Sequence, residues 1–207
     1  MKILFFGDSI TDMGRNRESP NSVWGYGNGY VAQVAGELLL ENPTGYQLVN
    51  RGISGNRVVD LYARIKADVW NEQPDVLSIL IGVNDIWHEI NYQNGVELDR
   101  FQRVYRTMLA ETKERIPNVK LMLLEPFVLK GSATEARFNE FTEVYEYAKA
   151  VKEIAKEFGA TFVPLQEKLT AASEKFGVEP YLYDGVHPHI AGAKLIAEEW
   201  LSAFEKI

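Results

Sequence analysis

Short, near-continuous apolar runs alternate with amphipathic stretches from one end of this sequence to the other. The runs at 3–6, 46–49, 76–81, 120–124 and 161–163 predict buried strands, because a strand covered on both faces loses the in/out alternation of a half-exposed one. Between them Leu98, Phe101, Tyr105, Met108 and Thr112 recur at steps of three or four, and so do Phe138, Phe141, Tyr145, Ala148, Val151, Ala155 and Phe158. Such stripes are helix faces packed on a sheet, and the intervening Lys152, Glu153, Lys156 and Glu157 form a solvated face. Further helices are predicted over 31–40, 58–70 and 190–204, each bounded by Gly, Pro or Asn, and Gly159 stands where a helix C-terminus would place it.

Strand–helix alternation repeated five times implies right-handed crossovers and a five-stranded parallel sheet with helices on both faces. The expected class is α/β, a flavodoxin-like three-layer α/β/α sandwich, with the strand order 2-1-3-4-5 taken by analogy. No linker, repeat or low-complexity tract interrupts the chain, so residues 1–207 are expected to form a single domain. Residues 13–29, polar and glycine-rich, read as the one long irregular loop early in the chain, and such loops are often functional.

Composition removes several classes of function. With 22 Lys+Arg against 29 Asp+Glu, a net charge of −7 and no basic block, the chain lacks the electrostatic footprint of nucleic-acid binding, and an anionic membrane surface is disfavoured for the same reason. The absence of cysteine excludes a disulfide framework, a thiolate nucleophile and cysteine-ligated metal, while three histidines (His88, His187, His189) leave little for a histidine-based cluster. The longest apolar stretch, 76–83, is interrupted by Ser78 and falls far short of the ~18 residues a membrane span needs. The opening apolar run is too short for a signal-peptide core, so the expected location is the cytoplasm.

In an open parallel sheet ligands bind outside the carboxyl ends of the strands, and those are the positions where this sequence turns polar. Gly7-Asp8-Ser9-Ile10-Thr11-Asp12 follows the first strand, Asn50-Arg51-Gly52-Ile53-Ser54-Gly55-Asn56 the second and Gly82-Val83-Asn84-Asp85 the third. Asp184-Gly185-Val186-His187-Pro188 follows the fifth strand and one further helix. A lone Ser after a strand is usually a helix cap, but with an imidazole able to take its proton it becomes a nucleophile. Ser9 and His187 are the candidates, and Asp184, three residues before the histidine, can hold its other ring nitrogen. The oxyanion of an acyl-transfer intermediate would find donors in the Ser9 N–H, the Gly55 N–H and the Asn84 amide. Ser54 is the poorer nucleophile, because the Gly-x-Ser-x-Gly elbow would need glycine where Asn56 stands. Asp8, Asp12 and Asp85 suggest a competing magnesium-binding reading, which would leave Asp184 and His187 unexplained.

These four blocks, in this order and spacing over nearly the whole chain, resemble the signature blocks of the SGNH, or GDSL-type, hydrolases. The resemblance implies Ser9, Asp184 and His187 as catalytic residues, Ser9, Gly55 and Asn84 as the oxyanion hole, the SGNH hydrolase fold and no metal or other cofactor. Within that superfamily, Gly27-x-Gly29-Tyr30-Val31 and Asn84-Asp85-x-Trp87 are most similar to the compact intracellular acetyl-xylooligosaccharide esterases. Asn56-Arg57 departs from the Asn/Asp-Thr common in relatives, and His189 stands where a small polar residue is usual. Asp8, Trp87, Tyr92 and Tyr183 are taken as substrate-binding candidates, since aromatic platforms suit sugar rings as well as acyl chains. The expected substrate is a small short-acyl ester, foremost an acetylated oligosaccharide, and a homo-oligomer is allowed for. The competing functions are a lysophospholipase or thioesterase using the same three residues, and a non-catalytic carbohydrate- or magnesium-binding domain.

Overall fold

The computed structural model describes residues 1–207. Its chain order is β1 (Lys2–Gly7), α1 (Ser9–Asp12), α2 (Tyr30–Glu41), β2 (Gln47–Gly52), α3 (Val58–Ile65), β3 (Val76–Leu80), α4 (Val83–Tyr92), α5 (Leu98–Arg115), β4 (Lys120–Leu124), α6 (Phe138–Phe141), α7 (Val144–Phe158), β5 (Thr161–Val163), α8 (Gln166–Phe176) and α9 (Ile190–Phe204). The five strands are parallel in the order β2-β1-β3-β4-β5, as expected. Gly7 is level with Gly52 on one side and Leu80 on the other, so β1, β2 and β3 end together and their exits form one rim. Helices α2 and α9 pack together in one layer, and α3, α5 and α7 pack in sequence in the other. This is the SGNH hydrolase arrangement of a five-stranded parallel sheet between helical layers. No helix is long and apolar enough to cross a membrane.

The first, third and fourth apolar runs form the centre of the middle layer, with nearly every side chain buried, and the second and fifth lie at its edges. Ser78, the one polar residue in the third run, is also fully buried, and its Oγ accepts the indole N–H of Trp200 at 2.9 Å. Trp200 stacks on Phe204 with ring centroids 4.8 Å apart and meets Phe5 at 5.2 Å, so α9 is keyed to the sheet by aromatic packing around one satisfied polar contact.

Two expectations need correction. The second strand runs on through Asn50, Arg51 and Gly52 because its polar groups are paired: the buried Asn50 amide donates to Thr11 O at 2.7 Å and to Tyr26 O at 2.9 Å. The stripe from Phe138 to Phe158 is not one helix, since the chain breaks at Thr142 and Glu143, where the Thr142 hydroxyl turns back to Asn139 O, before α7 begins. The segment after the third strand, for which no element is predicted, is α4, whose first turn buries Asn84 and Asp85. The stretch predicted as one helix over 58–70 is helical throughout, with its last turn, Lys66–Trp70, widened to π geometry.

Candidate active site

Ser9 is placed by a turn that only glycine permits. A Cβ on Gly7 would lie 2.4 Å from Thr11 Oγ1 and 2.5 Å from Leu80 O, so a larger residue would push α1 off the end of the sheet. Asp8 caps α1, its Oδ1 accepting the Ile10 N–H at 3.0 Å, and Ser9 opens the helix with an N–H that has no carbonyl one turn earlier to meet. Ser9 Oγ lies 2.8 Å from His187 Nε2.

His187 and Asp184 sit in the loop between α8 and α9. Gly185 has φ 99°, and its Cβ would meet Leu129 O and Thr134 Oγ1 at 2.5 Å each, so the loop closes against residues 129–134 only with glycine here. Leu129 and Ala133 donate their N–H groups to Gly185 O and Asp184 O, at 2.8 and 3.0 Å, which pins it. Asp184 Oδ1 accepts the Val186 and His187 N–H groups at 2.9 and 2.7 Å, leaving Oδ2 at 2.6 Å from His187 Nδ1. Burial would raise the Asp184 carboxyl, but the His187 hydrogen bond and the two backbone N–H groups hold it below the usual carboxylate range. Burial likewise disfavours the imidazolium, yet the hydrogen bond and charge of Asp184, with the charge of Asp8, hold the His187 pKa above its ordinary value. An ionised Asp184 can only accept, so Nδ1 carries the proton, and Nε2 of the neutral ring is free to accept from Ser9 Oγ–H. Tyr183 stacks on the imidazole at 5.6 Å with planes 16° apart, and Trp87 meets the same ring at 5.8 Å.

The second and third strand exits bring two further donors. Gly55 has φ 82°, its added Cβ would meet nothing within 4 Å, and its N–H donates to no atom of the chain. Asn84, 6% exposed in the first turn of α4, donates one amide hydrogen to Asn56 O at 3.1 Å and has a second to offer. The loop itself is held from below: a Cβ on Gly52 would lie 2.2 Å from Asp12 N, and Asp12 Oδ2 accepts the N–H and hydroxyl of Ser54 at 3.1 and 3.2 Å. The Ser54 hydroxyl is therefore committed to Asp12 and has no imidazole beside it. Arg57, the departure from the usual pattern, bonds Asp60 at 2.9 Å and Asn94 O at 2.7 Å, joining the start of α3 to the end of α4.

Not every expected residue reaches this rim. Asp8 is fully buried and cannot meet a substrate, because capping α1 draws its carboxylate under the helix. Tyr92 is 70% exposed and packs edge-on against His88 rather than against the Ser9 group. His189 is the N-terminal cap residue of α9, with its side chain exposed. Of the three aspartates of the magnesium reading, Asp8 receives Ile10 N–H, Asp12 receives Ser54 and Arg17, and Asp85 receives Val58 N–H at 3.0 Å. No three His, Cys, Asp or Glu side chains converge to hold a metal ion. A cavity of about 430 Å³ lined by Glu89, Glu97, Glu143 and Glu146 includes none of Ser9, Gly55, Asn84 or His187. Sequence reasoning gave no role to Asn50, Arg15 or Arg64, which tie the rim loops together through bonds to residues distant in the chain.

Comparison with known proteins gives the family. Residues 5–195 match the GDSL-like Lipase/Acylhydrolase family. An acetylxylan esterase from Geobacillus stearothermophilus is 36% identical over 206 residues, which cover 97% of this chain and 92% of that protein. A crystal structure of the Geobacillus acetylxylan esterase Axe2 superposes with a TM-score of 0.86 at 36% identity, covering 98% of this chain and 93% of the other. An alpha/beta hydrolase enzyme from the metagenome of Lake Arreo, Spain, superposes with a TM-score of 0.88 at 28% identity, covering 99% and 94%. Matched over most of its length by both family and relatives, the chain belongs to the GDSL-like Lipase/Acylhydrolase family and is a carboxylic ester hydrolase.

Proposed function

We propose that the protein hydrolyses short acyl esters, foremost O-acetyl groups on xylooligosaccharides or related sugars, with Ser9 as nucleophile, His187 as general base and acid, and Asp184 as the group that orients it. The observation that carries this is the unbroken line from Asp184 Oδ2 to His187 Nδ1 at 2.6 Å and from Nε2 to Ser9 Oγ at 2.8 Å. As Oγ attacks the ester carbonyl carbon, its proton passes to Nε2 and the carbonyl becomes an oxyanion. The Ser9 N–H, Gly55 N–H and Asn84 amide stabilise that charge, each contributing on the order of 3 kcal/mol when well placed. Collapse breaks the bond to the sugar oxygen, which takes the proton back from Nε2, and leaves acetyl on Ser9. Water, deprotonated by the same nitrogen, releases acetate and restores the hydroxyl. No step requires a cofactor.

The acetyl-sugar preference is supported by the acetylxylan esterases among the relatives and by Tyr183, 47% exposed beside His187, whose ring offers a sugar a flat apolar face. We further take the whole chain to act as one domain, in the cytoplasm, on a small-molecule substrate. The testing experiment is hydrolysis of p-nitrophenyl esters from acetate to decanoate by the wild type and Ser9→Ala. A sharp acetate optimum that vanishes in the variant supports the proposal and leads to acetylated xylooligosaccharides. An optimum at long chains moves the assignment to lysophospholipids or thioesters.

A further inference from the structure

We propose that Arg64 is the positioning residue of the oxyanion hole, acting through Asn56 on the Gly55 and Asn84 donors and through Gly7 O on the Ser9 turn. The inference rests on the reading of Ser9, Gly55 and Asn84 as that hole. Arg64 stands in the last turn of α3, away from the reacting atoms, and its side chain is 16% exposed. Its guanidinium reaches the ends of two strands and the loop between them and the hole. Nη2 donates to Gly7 O at 3.1 Å, Nη1 to Arg51 O at 2.9 Å, and Nε to Asn56 Oδ1 at 2.7 Å. The group lies over the Phe6 ring at 4.4 Å, and its charge is met by Asp68 Oδ2 at 2.6 Å.

The contacts to Gly7 O and Asn56 Oδ1 lead to the three donors. Gly7 O, two residues before Ser9, accepts from both Arg64 and Ile53 N–H, the latter at 3.0 Å, and so joins the nucleophile turn to the glycine loop. Asn56 follows Gly55 directly and its N–H closes a turn on Ile53 O at 3.2 Å, so holding the Asn56 side chain fixes the end of the turn that carries the Gly55 N–H. Asn56 O in turn accepts the Asn84 amide at 3.1 Å, which leaves the other amide hydrogen aimed outward. One planar cation with its donors in a rigid fork thus sets the spacing of three groups from three strand exits, a task a lysine ammonium could not reproduce. Oxyanion stabilisation depends on donors lying within a few tenths of an ångström of where the charge develops, so a loosened fork should lower the turnover number and leave ground-state binding alone.

The test is a double-mutant cycle on kcat and KM for p-nitrophenyl acetate with Arg64→Met, Asn56→Ala and the double variant, beside wild type, Arg64→Lys and Ser9→Ala. All are assayed well below their own melting temperatures. Arg64→Met is expected to lower kcat roughly 10- to 100-fold with KM within about twofold, short of the loss expected for deleting a donor outright. Asn56→Ala should produce a similar loss, and the double variant should be scarcely worse than the larger single, because both break one path. Arg64→Lys keeps a charge for Asp68 and should fall between; it decides the matter if Arg64→Met does not fold. Unchanged kcat in a folded Arg64 variant, or losses that multiply in the double variant, would overturn the proposal while leaving Ser9 chemistry intact. Wild-type turnover that persists in Ser9→Ala would instead overturn the assignment of the hole, and the role of Arg64 with it.

Discussion

Replacing Asp8 with asparagine should abolish the pH dependence of stability that this residue imposes. Asp8 is fully buried beside the nucleophile; Oδ1 accepts the Ile10 N–H and Oδ2 has no hydrogen-bond partner. Burial pushes its carboxyl up from 3.8 to about 7, against the opposing pull of the Ile10 N–H and the charge of His187. Between those two values the folded chain holds a proton that the unfolded chain has released, so stability falls as pH rises through this window and is flat above it. At about 1.4 kcal/mol per pH unit over roughly three units, ionising Asp8 costs the fold about 4 kcal/mol by neutral pH. Asparagine keeps the acceptor for Ile10 and cannot ionise, but puts an amide N–H₂ where Oδ2 was, an unmet donor that costs about 1–3 kcal/mol at every pH. The variant should therefore be no more stable than wild type near pH 4.5, overtake it between about pH 4.5 and 6, and gain about 3 kcal/mol on it between pH 4.5 and 8. Urea titrations followed by tryptophan fluorescence, with Trp200 buried in the core, would measure it. A stability difference that stays constant with pH would refute the reasoning.

Two other expectations bear on catalysis. Asp184→Asn removes the hydrogen bond and charge that outweigh the burial of His187, so the acid limb of kcat/KM, expected above the ordinary histidine value of 6.5 in wild type, should move below it, while kcat falls by about 10⁴; a limb that stays put in a pH–rate profile would contradict the coupling. Asn84→Ala should reduce kcat about 10²- to 10³-fold with little change in KM, as steady-state kinetics on p-nitrophenyl acetate would register, because the lost amide serves the charge that develops in the transition state.

Much of this site is legible in the sequence because its parts are punctuated. Gly7, Gly55 and Gly185 mark the places where backbone must approach backbone or take a positive φ, and each lies within two or three residues of a proposed functional group. The buried runs gave the strands, apart from the end of β2, where Asn50 and Arg51 read as loop until their partners Thr11 and Glu72 are seen across the fold. Tertiary pairing also explains the misread segments. Helix α4 carries a stripe of its own, Val83, Ile86, Trp87 and Ile90, interrupted in its first turn by the buried polar Asn84 and Asp85. Asp8 looked like part of an exposed polar block, and only the geometry of the β1–α1 turn draws it inside. Arg64 could not be singled out at all, because an arginine in the last turn of a helix is ordinary. Its three acceptors come from residues 7, 51 and 56, which only the sheet brings together.

The most direct test of the central claim is covalent: inactivation by a slowly hydrolysed organophosphonate, followed by peptide mapping. Ser9 as an activated nucleophile predicts loss of activity in step with a single phosphonyl group on the tryptic peptide that spans residues 3–15, and no labelling of Ser9→Ala. Labelling at another residue, or full turnover by a protein already modified at Ser9, would contradict it.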